Sequence, residues 1–140
     1  MTHTYEADVV ARLIEREQMA ALREVSAGGA GFVDILTPTE IIEVKEVHSW
    51  KHALGQVLAY KAALNDPKRT PRIHLFRRNG EYMTYEDVEL VCKVCETLGV
   101  RVTFEGQAYV VEYKNRDRSL EWLDKYKFVP CGGHCGKLRL

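Results

Sequence analysis

The amino-acid sequence predicts a single α/β domain in which helices flank a central mixed β-sheet. Segments with apolar residues at helical spacing alternate along the chain with short runs rich in β-branched residues. The chain has 140 residues, which is enough for one hydrophobic core but not for two independent domains of ordinary size. No repeat, low-complexity tract or flexible linker divides it. The residue patterns alone therefore predict the element order α-β-β-α-β-α-β.

The first predicted elements are a helix and a β-hairpin. Between residues 6 and 25 apolar residues recur at helical spacing, and a pair of glycines follows. The runs GFVDILT and IIEVKEV are typical of strands, and a Pro-Thr pair between them suits a tight turn. If that pair is the loop, Leu36 faces Ile41 and Asp34 faces Glu43 across the hairpin.

The later elements are two helices and two strands, followed by an extension. A helix from Ser49 to Leu64 ends at an Asn-Asp-Pro sequence that cannot easily continue it. RIHLF is the next strand. Thr84 caps a third helix that runs to Leu98, with Gly99 past its end, and VRVTF is the following strand. From about residue 107 a C-terminal extension contains a run typical of an edge strand, a short helix and a tail with Gly and Cys.

Composition and charge limit the setting of the protein and its partners. With 46% hydrophobic and 29% charged residues, the chain has the composition of a globular protein. No apolar run reaches the roughly 18 residues of a membrane span, and the first residues lack a secretory signal, so we expect a soluble, intracellular protein. The formal net charge is zero, but residues 61–78 hold six basic groups against one acid: Lys61, Lys68, Arg69, Arg72, Arg77 and Arg78, with Asp66. This segment is either a solvated face or a grip for phosphates.

Two acids and a lysine in the predicted hairpin are the residues that indicate chemistry. A period of two puts Glu43 and Lys45 on one face of their strand, and Asp34 lies on the neighbouring strand. A buried charge needs a partner or a metal, and paired carboxylates suit Mg²⁺ or Mn²⁺. Such a cation activates a water molecule and stabilises the negative charge that develops on a phosphate when the water attacks it. A neighbouring ammonium orients that water or stabilises the same developing charge. The alternative is an ion pair on a solvated hairpin face.

Three short motifs resemble the PD-(D/E)XK nuclease superfamily in its RecB-like form. They are GFVD at 31–34, IIEVK at 41–45 and GQVLAY at 55–60. They match the family pattern small-h-h-Asp, h-Glu-h-Lys and Gln-h-h-h-Tyr, in which h is apolar. The resemblance implies a restriction-endonuclease-like α-β-β-β-α-β core and Mg²⁺-dependent hydrolysis of DNA phosphodiester bonds. Val33 stands where the name-giving proline would be, a substitution that RecB-like members share and that removes no ligand.

The resemblance also implies roles for individual residues of the hairpin. Asp34 and Glu43 resemble the metal-binding acids, and the backbone carbonyl of Val44 resembles a further metal ligand. Lys45 resembles the catalytic lysine. These assignments come from the motif match, whereas the period of two shows only that Glu43 and Lys45 share a face.

Two helices contribute further candidates for the same site. Gln56 and Tyr60 match the Gln-h-h-h-Tyr motif of the family, and their four-residue spacing puts them on one helix face. The family also places a glutamate on the first helix. The sequence offers Glu6, Glu15 and Glu17, and Glu6 is preferred because it shares a helical stripe with apolar residues at positions 9, 10 and 13. The structural alternatives are a packed Tyr60, a solvated Gln56 and a surface Glu6.

Other polar residues are candidates by position only. His48, His52 and His74 are candidates for action near a phosphate, although isolated histidines are more often structural. Lys51 and Lys61 are candidates for contacts with the DNA backbone, which provide affinity independent of sequence.

These features predict a metal-dependent DNA endonuclease of the restriction, homing or Holliday-junction-resolving type. Its partner would be DNA, and the resemblance implies a homodimer. The competing hypothesis is a non-catalytic nucleic-acid-binding module of the same fold, with a tail stabilised by zinc.

Four cysteines raise the separate question of a zinc site. Cys92 and Cys95, and Cys131 and Cys135, have spacings compatible with tetrahedral Zn²⁺, and His134 is a substitute ligand. The first pair lies in a predicted helix, where the same spacing is typical of a buried apolar stripe. We therefore favour free thiols over a structural zinc.

We predict that the purified protein carries no stoichiometric zinc and that Cys131→Ser leaves its thermal stability unchanged. Metal analysis and thermal unfolding of the two proteins check this. One zinc per chain, lost in the variant together with several degrees of Tm, would contradict the prediction.

Overall fold

The computed structural model describes residues 5–78 and 83–105, which form a five-stranded mixed sheet with helices on both faces. The elements are α1 (Tyr5–Glu17), β1 (Leu22–Ser26), β2 (Phe32–Leu36), β3 (Glu40–Glu46), α2 (Trp50–Leu64), β4 (Thr70–Phe76), α3 (Tyr85–Thr97) and β5 (Arg101–Phe104). The strands lie in the order β1-β2-β3-β4-β5. Neighbours from β1 to β3 are antiparallel, and neighbours from β3 to β5 are parallel. The α/β class with a mixed sheet is as predicted.

The predicted extension from about residue 107, including its strand, its helix and two of the four cysteines, lies outside the described residues. The zinc question therefore stays a prediction. Within the described part, Cys92 and Cys95 lie on α3 and are buried in the hydrophobic core. No helix among the described residues is both long and apolar enough to cross a membrane.

The chain has one strand more than predicted, because the first helix ends early. α1 stops at Glu17, and Gln18 adopts a left-handed conformation with φ of 51°. The N–H of Gln18 donates to the carbonyl of Glu15, and the N–H of Met19 donates to the carbonyl of Ile14. This is a Schellman cap, and the side chains of Met19 and Ile14 pack against the same core cluster. The prediction of a helix to residue 25 was wrong, and the element order is α-β-β-β-α-β-α-β.

The ends of the other helices follow the predicted signals. Thr84 caps α3, because its hydroxyl accepts a hydrogen bond from the N–H of Asp87 at 3.1 Å. Gly99 follows α3 with φ of 70°, a conformation that glycine adopts without steric cost. α2 ends where Asn65 takes φ of 49°. These three boundaries confirm the sequence interpretation.

The predicted β2–β3 hairpin is present, and its turn end has the predicted register, but the predicted backbone pairing of Asp34 with Glu43 does not form. Leu36 pairs with Ile41, and Ile35 pairs with Ile42. The Thr37 side chain closes the turn by accepting hydrogen bonds from two following N–H groups, that of Glu40 at 2.8 Å among them. The hairpin is therefore tight at its turn, and the pairing is confined to the turn end of the two strands.

Two hydrophobic clusters lie on the two faces of the sheet. The α1-side core consists of Val9, Val10, Leu13, Ile35, Ile42, Val44 and Phe76. The larger α2-side core packs residues of α2 and α3 against the opposite face and includes Ile41, Val57, Ile73 and Val91. The alternation of Ile41 and Ile42 between the two clusters is the period of two expected for a strand covered on both faces.

A fully buried arginine ties α1 to three strands. Arg72 on β4 is 0% exposed. Its guanidinium donates to Glu17 at 2.8 and 2.9 Å and to Glu40 at 3.1 Å. It also donates to the Thr103 hydroxyl at 3.1 Å, and Arg101 donates to the other oxygen of Glu40 at 2.6 Å. Each charge in this network has a partner, as burial of a guanidinium requires.

The basic segment 61–78 is therefore not a uniform phosphate grip. Besides the buried Arg72, the Lys61 ammonium donates to the carbonyls of Asp66 at 2.6 Å and Arg69 at 2.5 Å. The Arg69 side chain bonds to Asp66 and to the carbonyl of Thr37. Three of the six basic groups thus make hydrogen bonds within the fold, and the role of Lys61 in DNA contact stays a prediction. The other three are exposed: Lys68, Arg77 and Arg78.

We predict that Arg72→Met lowers the free energy of unfolding by about 3 kcal/mol or more, because Glu17 and Glu40 lose a buried cationic partner. Urea unfolding followed by circular dichroism measures the change. Lys68→Met is the matched control, since this side chain is exposed, and its effect should stay within about 0.5 kcal/mol. Equal stability of the two variants would show that the network does not stabilise the fold.

Candidate active site

The candidate site begins where β2 and β3 separate beyond the hairpin turn. Past the pair Ile35–Ile42, no further backbone pair joins the two strands in the described residues. The side chain of Asp34 takes over at this point, because its Oδ2 accepts a hydrogen bond from the N–H of Val44 at 2.8 Å. A side chain thus replaces a backbone acceptor, which keeps the N–H satisfied while the strands diverge.

The regular alternation of side chains along β2 is interrupted at Asp34. Val33 packs into the α2-side core, whereas Ile35, two residues later, packs into the α1-side core. A regular strand would put both side chains on one face. On the neighbouring strand β1, Glu24 lies opposite Asp34 and has φ of 52°. The two strands are therefore distorted at the same level, as is common beside functional sites.

A lysine and two glutamates meet next to Asp34. Glu43 on β3 is only 3% exposed, and its Oε1 has no hydrogen-bond partner among the described residues. The ammonium nitrogen of Lys45 lies 3.7 Å from Glu43 Oε2 and 4.0 Å from Glu6 Oε2. The structure thus brings together four of the predicted site residues from α1, β2 and β3.

Burial and mutual repulsion dominate the electrostatics of the two central acids. Burial raises the pKa of Asp34, while the N–H of Val44 and the charge of Lys45 act in the opposite direction. The pKa of Glu43 is also raised, first by burial and then by the charge of Asp34, and Lys45 compensates only in part. The site thus has one lysine for two carboxyl groups in a low-dielectric environment, which is too little positive charge to keep both acids ionised at their ordinary pKa values.

Gln56 and Tyr60 cover the site from α2. Gln56 Nε2 lies 3.4 Å from the Tyr60 hydroxyl, and Gln56 Oε1 is buried without a hydrogen-bond partner among the described residues. Tyr60 is 2% exposed. Burial, followed by the charges of Glu43 and Asp34, raises the pKa of Tyr60 to about 12, so the phenol stays protonated at neutral pH. Its hydroxyl is therefore a hydrogen-bond donor that faces two carboxyl groups.

The backbone conformation explains why the GFVD motif begins with a glycine. Gly31 has φ of 110°, a backbone conformation that residues with a side chain rarely adopt. A Cβ atom at this position would lie 3.8 Å from the Tyr60 hydroxyl, which is ordinary contact. The requirement for glycine is thus set by the backbone and not by crowding.

The donor set fits a hard divalent cation. Asp34 and Glu43 supply carboxylate oxygens, and the buried Oε1 of Glu43 has an unused acceptor. Among the described residues no three His, Cys, Asp or Glu side chains converge on one point. Mg²⁺ suits this composition, since it is commonly bound by one or two carboxylates and completes its shell with water and phosphate oxygens. The ligand role of the Val44 carbonyl stays a prediction.

The three predicted histidines differ in their burial. His74 is 1% exposed and lies beside Val44 on β4, on the α1 side of the sheet, where its Nδ1 is 2.7 Å from the Thr103 hydroxyl. Burial lowers its pKa. His48 and His52 are exposed at the start of α2. Nearby, the exposed Lys51 ammonium lies 5.8 Å from the centre of the Trp50 ring.

Sequence reasoning missed a cleft beside Asp34. It has a volume of about 260 Å³ and is lined by Glu6, Ala7, Val10, Arg23, Glu24, Phe32 and Asp34. Arg23 and Glu24 were missed because residues 6–25 were assigned to one helix. Phe32 occupies an apolar motif position that suggests burial, yet it is 62% exposed. The signal that was available is the sequence LREVS, in which apolar and charged residues alternate partly as in a strand.

Comparisons with known proteins give short matches to viral proteins. No family model matches the chain, and no solved structure does. Three proteins of Acanthamoeba polyphaga mimivirus, named as KilA-N domain-containing proteins, are similar in part. R878 is 30% identical over 77 residues, 55% of this chain and 20% of R878. L33 is 32% identical over 72 residues, 51% of this chain and 26% of L33.

The third relative, L32, is 63% identical over 30 residues, which are 21% of this chain and 8% of L32. The matched segments thus span about a quarter or less of the length of these relatives. The names describe each relative as a whole and do not say that the matched segment is the KilA-N domain.

We predict that Mg²⁺ raises the Tm of the wild-type protein and leaves the Tm of Glu43→Gln unchanged. A ligand that binds only the folded state stabilises it by mass action, and the variant removes the buried carboxylate that would bind the cation. In EDTA at neutral pH the variant should be at least as stable as wild type, because burial raises the pKa of Glu43 to about 8 and folding of the wild type therefore costs the uptake of a proton. Differential scanning calorimetry with and without Mg²⁺ measures both effects.

The control is Glu15→Gln, an exposed acid on α1. Its Tm should rise with Mg²⁺ as that of the wild type does. Equal Mg²⁺ shifts in all three proteins would remove Glu43 from the metal site.

Proposed function

We propose that this chain is a Mg²⁺-dependent DNA endonuclease with a restriction-endonuclease-like core and that Asp34, Glu43 and Lys45 form its catalytic centre. One observation carries the proposal. The buried carboxyl group of Glu43 lies beside the half-buried carboxyl group of Asp34, its Oε1 has no hydrogen-bond partner among the described residues, and the Lys45 nitrogen lies 3.7 Å from its Oε2. A fold gains no stability from such an arrangement, whereas a metal-binding hydrolytic site requires it.

The order of the elements supports the proposed core. From α1 to β4 the chain runs α-β-β-β-α-β, which is the order that the PD-(D/E)XK resemblance implies. The strand β1, which residue spacing alone did not predict, completes this order. The three motifs lie on β2, β3 and α2 and contribute to one site, so the motif match and the geometry point to the same residues.

The residues of this chain have distinct proposed tasks. Asp34, held by the N–H of Val44, and Glu43 bind the cation. When bound, Mg²⁺ supplies Lewis acidity and lowers the pKa of a water molecule that attacks phosphorus. Lys45 stabilises the negative charge that develops on the phosphate. Glu6, 4.0 Å from the Lys45 ammonium, helps to hold that side chain in place.

Gln56 and Tyr60 bind and orient the substrate in this proposal. The protonated hydroxyl of Tyr60 is a hydrogen-bond donor for a carboxylate or phosphate oxygen. The unused Oε1 of Gln56 is an acceptor for a water molecule or for an amino group of a base. Neither group requires a change of protonation during the reaction.

The viral relatives support DNA as the partner. Two of them match about half of this chain, and the KilA-N domain in their names is a DNA-binding domain. The motif resemblance also implies a homodimer, whose two active sites would cut the two strands of a duplex together, so we propose this assembly as well.

The same names favour a second candidate function, a DNA-binding module without catalysis. Incubation of plasmid and branched DNA with Mg²⁺ or with EDTA separates the two functions. Cleavage that requires Mg²⁺ and is lost in Asp34→Asn supports the nuclease. Stable binding without cleavage of any substrate, with or without metal, favours the module.

We predict that Lys45→Ala lowers the single-turnover cleavage rate about 100-fold or more, the scale on which loss of one electrostatic stabiliser acts. DNA affinity should change by only a few-fold, because the lysine acts mainly in the transition state. Rate and equilibrium binding are measured on one substrate. Lys68→Ala, an exposed lysine away from the acids, serves as control and should keep the rate.

The combination of the two readouts decides the role of this residue. An unchanged rate would remove Lys45 from the catalytic centre. Matched losses of rate and affinity would make it a DNA contact.

A further inference from the structure

We propose that the cleft beside Asp34 is a subsite for one unpaired nucleotide of the DNA strand, with Phe32 as the stacking surface for the base and Arg23 as the phosphate contact. The inference rests on the proposed function and adds a substrate class to it. DNA with unstacked bases, such as a single strand, a flap or a junction, would bind better than a continuous duplex.

The cleft and the catalytic centre share walls. Glu6 and Asp34 line the cleft and also belong to the group of residues around Lys45. A nucleotide in the cleft would therefore lie next to the scissile phosphate. The volume of about 260 Å³ is slightly below the roughly 300–1,000 Å³ of ordinary ligand pockets, which suits one nucleotide and excludes a duplex.

The aromatic ring of Phe32 is exposed beside the cleft. It is 62% exposed and lies on β2, two residues before Asp34. Its cross-strand neighbour is Ser26, which is too small to cover the ring. A large exposed aromatic side chain contributes little to folding, but bases of any sequence stack on such a ring. A base has a free face for stacking only when it has left the double helix.

Arg23 is the one cationic residue among the described residues that line the cleft. It lies on the edge strand β1, and its side chain is exposed. A guanidinium binds phosphate oxygens through two parallel hydrogen bonds. The remaining charged residues of the cleft, Glu6, Glu24 and Asp34, are acids that repel a second phosphate and accept hydrogen bonds from amino groups of a base. The charge pattern thus favours a phosphate at Arg23 and a base farther inside.

The test measures DNA binding with Ca²⁺ in place of Mg²⁺, so that binding is observed without cleavage. The probes are an oligothymidine single strand and a blunt duplex of equal length, and fluorescence anisotropy gives both dissociation constants. Phe32→Leu should weaken single-strand binding about fivefold or more, on the scale of one lost base stack, and leave duplex binding unchanged. Phe32→Trp should restore single-strand binding, because it restores an aromatic face.

Leu22→Ala is the matched control, since Leu22 is 64% exposed on the same pair of strands but does not line the cleft. It should bind both probes as wild type does. Arg23→Gln should also weaken single-strand binding and should reduce its salt dependence, because one phosphate contact is lost.

The outcomes separate this inference from the proposed nuclease activity. If Phe32→Leu binds the single strand as wild type does, or loses duplex affinity equally, the subsite is overturned even when Mg²⁺-dependent cleavage is present. If no substrate is cleaved and Phe32→Leu still loses single-strand affinity selectively, the subsite is supported and the nuclease fails.

Discussion

The hydrogen bond from the N–H of Val44 to the Asp34 carboxylate is the interaction on which the candidate site depends. The N–H of Val44 lies in the middle of a sheet and needs an acceptor. Because a side chain supplies that acceptor, β2 can leave β3 after only two paired positions. The separation leaves room for the Glu43 side chain, and it places a second carboxyl group beside it.

Two groups of buried charges in this protein differ in a way that separates structure from chemistry. Around Arg72, guanidinium groups and carboxylates alternate, and the arginine donates to two acids and a hydroxyl. Around Glu43, two acids face one lysine, the pKa of both acids is raised, and one carboxylate oxygen has no partner among the described residues. The first arrangement is complete as it stands. The second is the imbalance expected where an ion or substrate completes the site.

The extent to which the sequence predicted the structure depends on the type of signal. The hairpin register followed from the turn and the apolar pattern, and the caps at Thr84 and Gly99 followed from local chemistry. The end of α1 was not predicted, because the left-handed residue of its cap is Gln18, whereas a glycine or asparagine there would have indicated the end of a helix. Apolar residues between 20 and 25 then fitted a helix as well as a strand.

The ion pairs were predicted less well than the helices and strands, because the partners of a charged side chain are distant in sequence. Arg72 looked like part of a basic surface, yet Glu17 and Glu40 lie 55 and 32 residues away along the chain. The candidate catalytic residues were proposed from motifs that span one hairpin and one helix. Glu43 and Lys45 are two residues apart, so their spacing was enough to predict that they share a strand face. The distortion at Glu24 and Asp34 has no local signal, since it arises from two strands that deviate together.

The strand that the residue pattern missed is also the one that shapes the cleft. β1 contributes Arg23 and Glu24 to its wall, and α1 contributes Glu6 from the other side. Since α1 ends in a Schellman cap and the chain turns back directly into β1, helix and strand lie on either side of Asp34. A helix continued to residue 25 would have left Phe32 and Asp34 on an open edge strand. The early end of α1 therefore places Asp34 in a concave site, which is the geometry that a small substrate group requires.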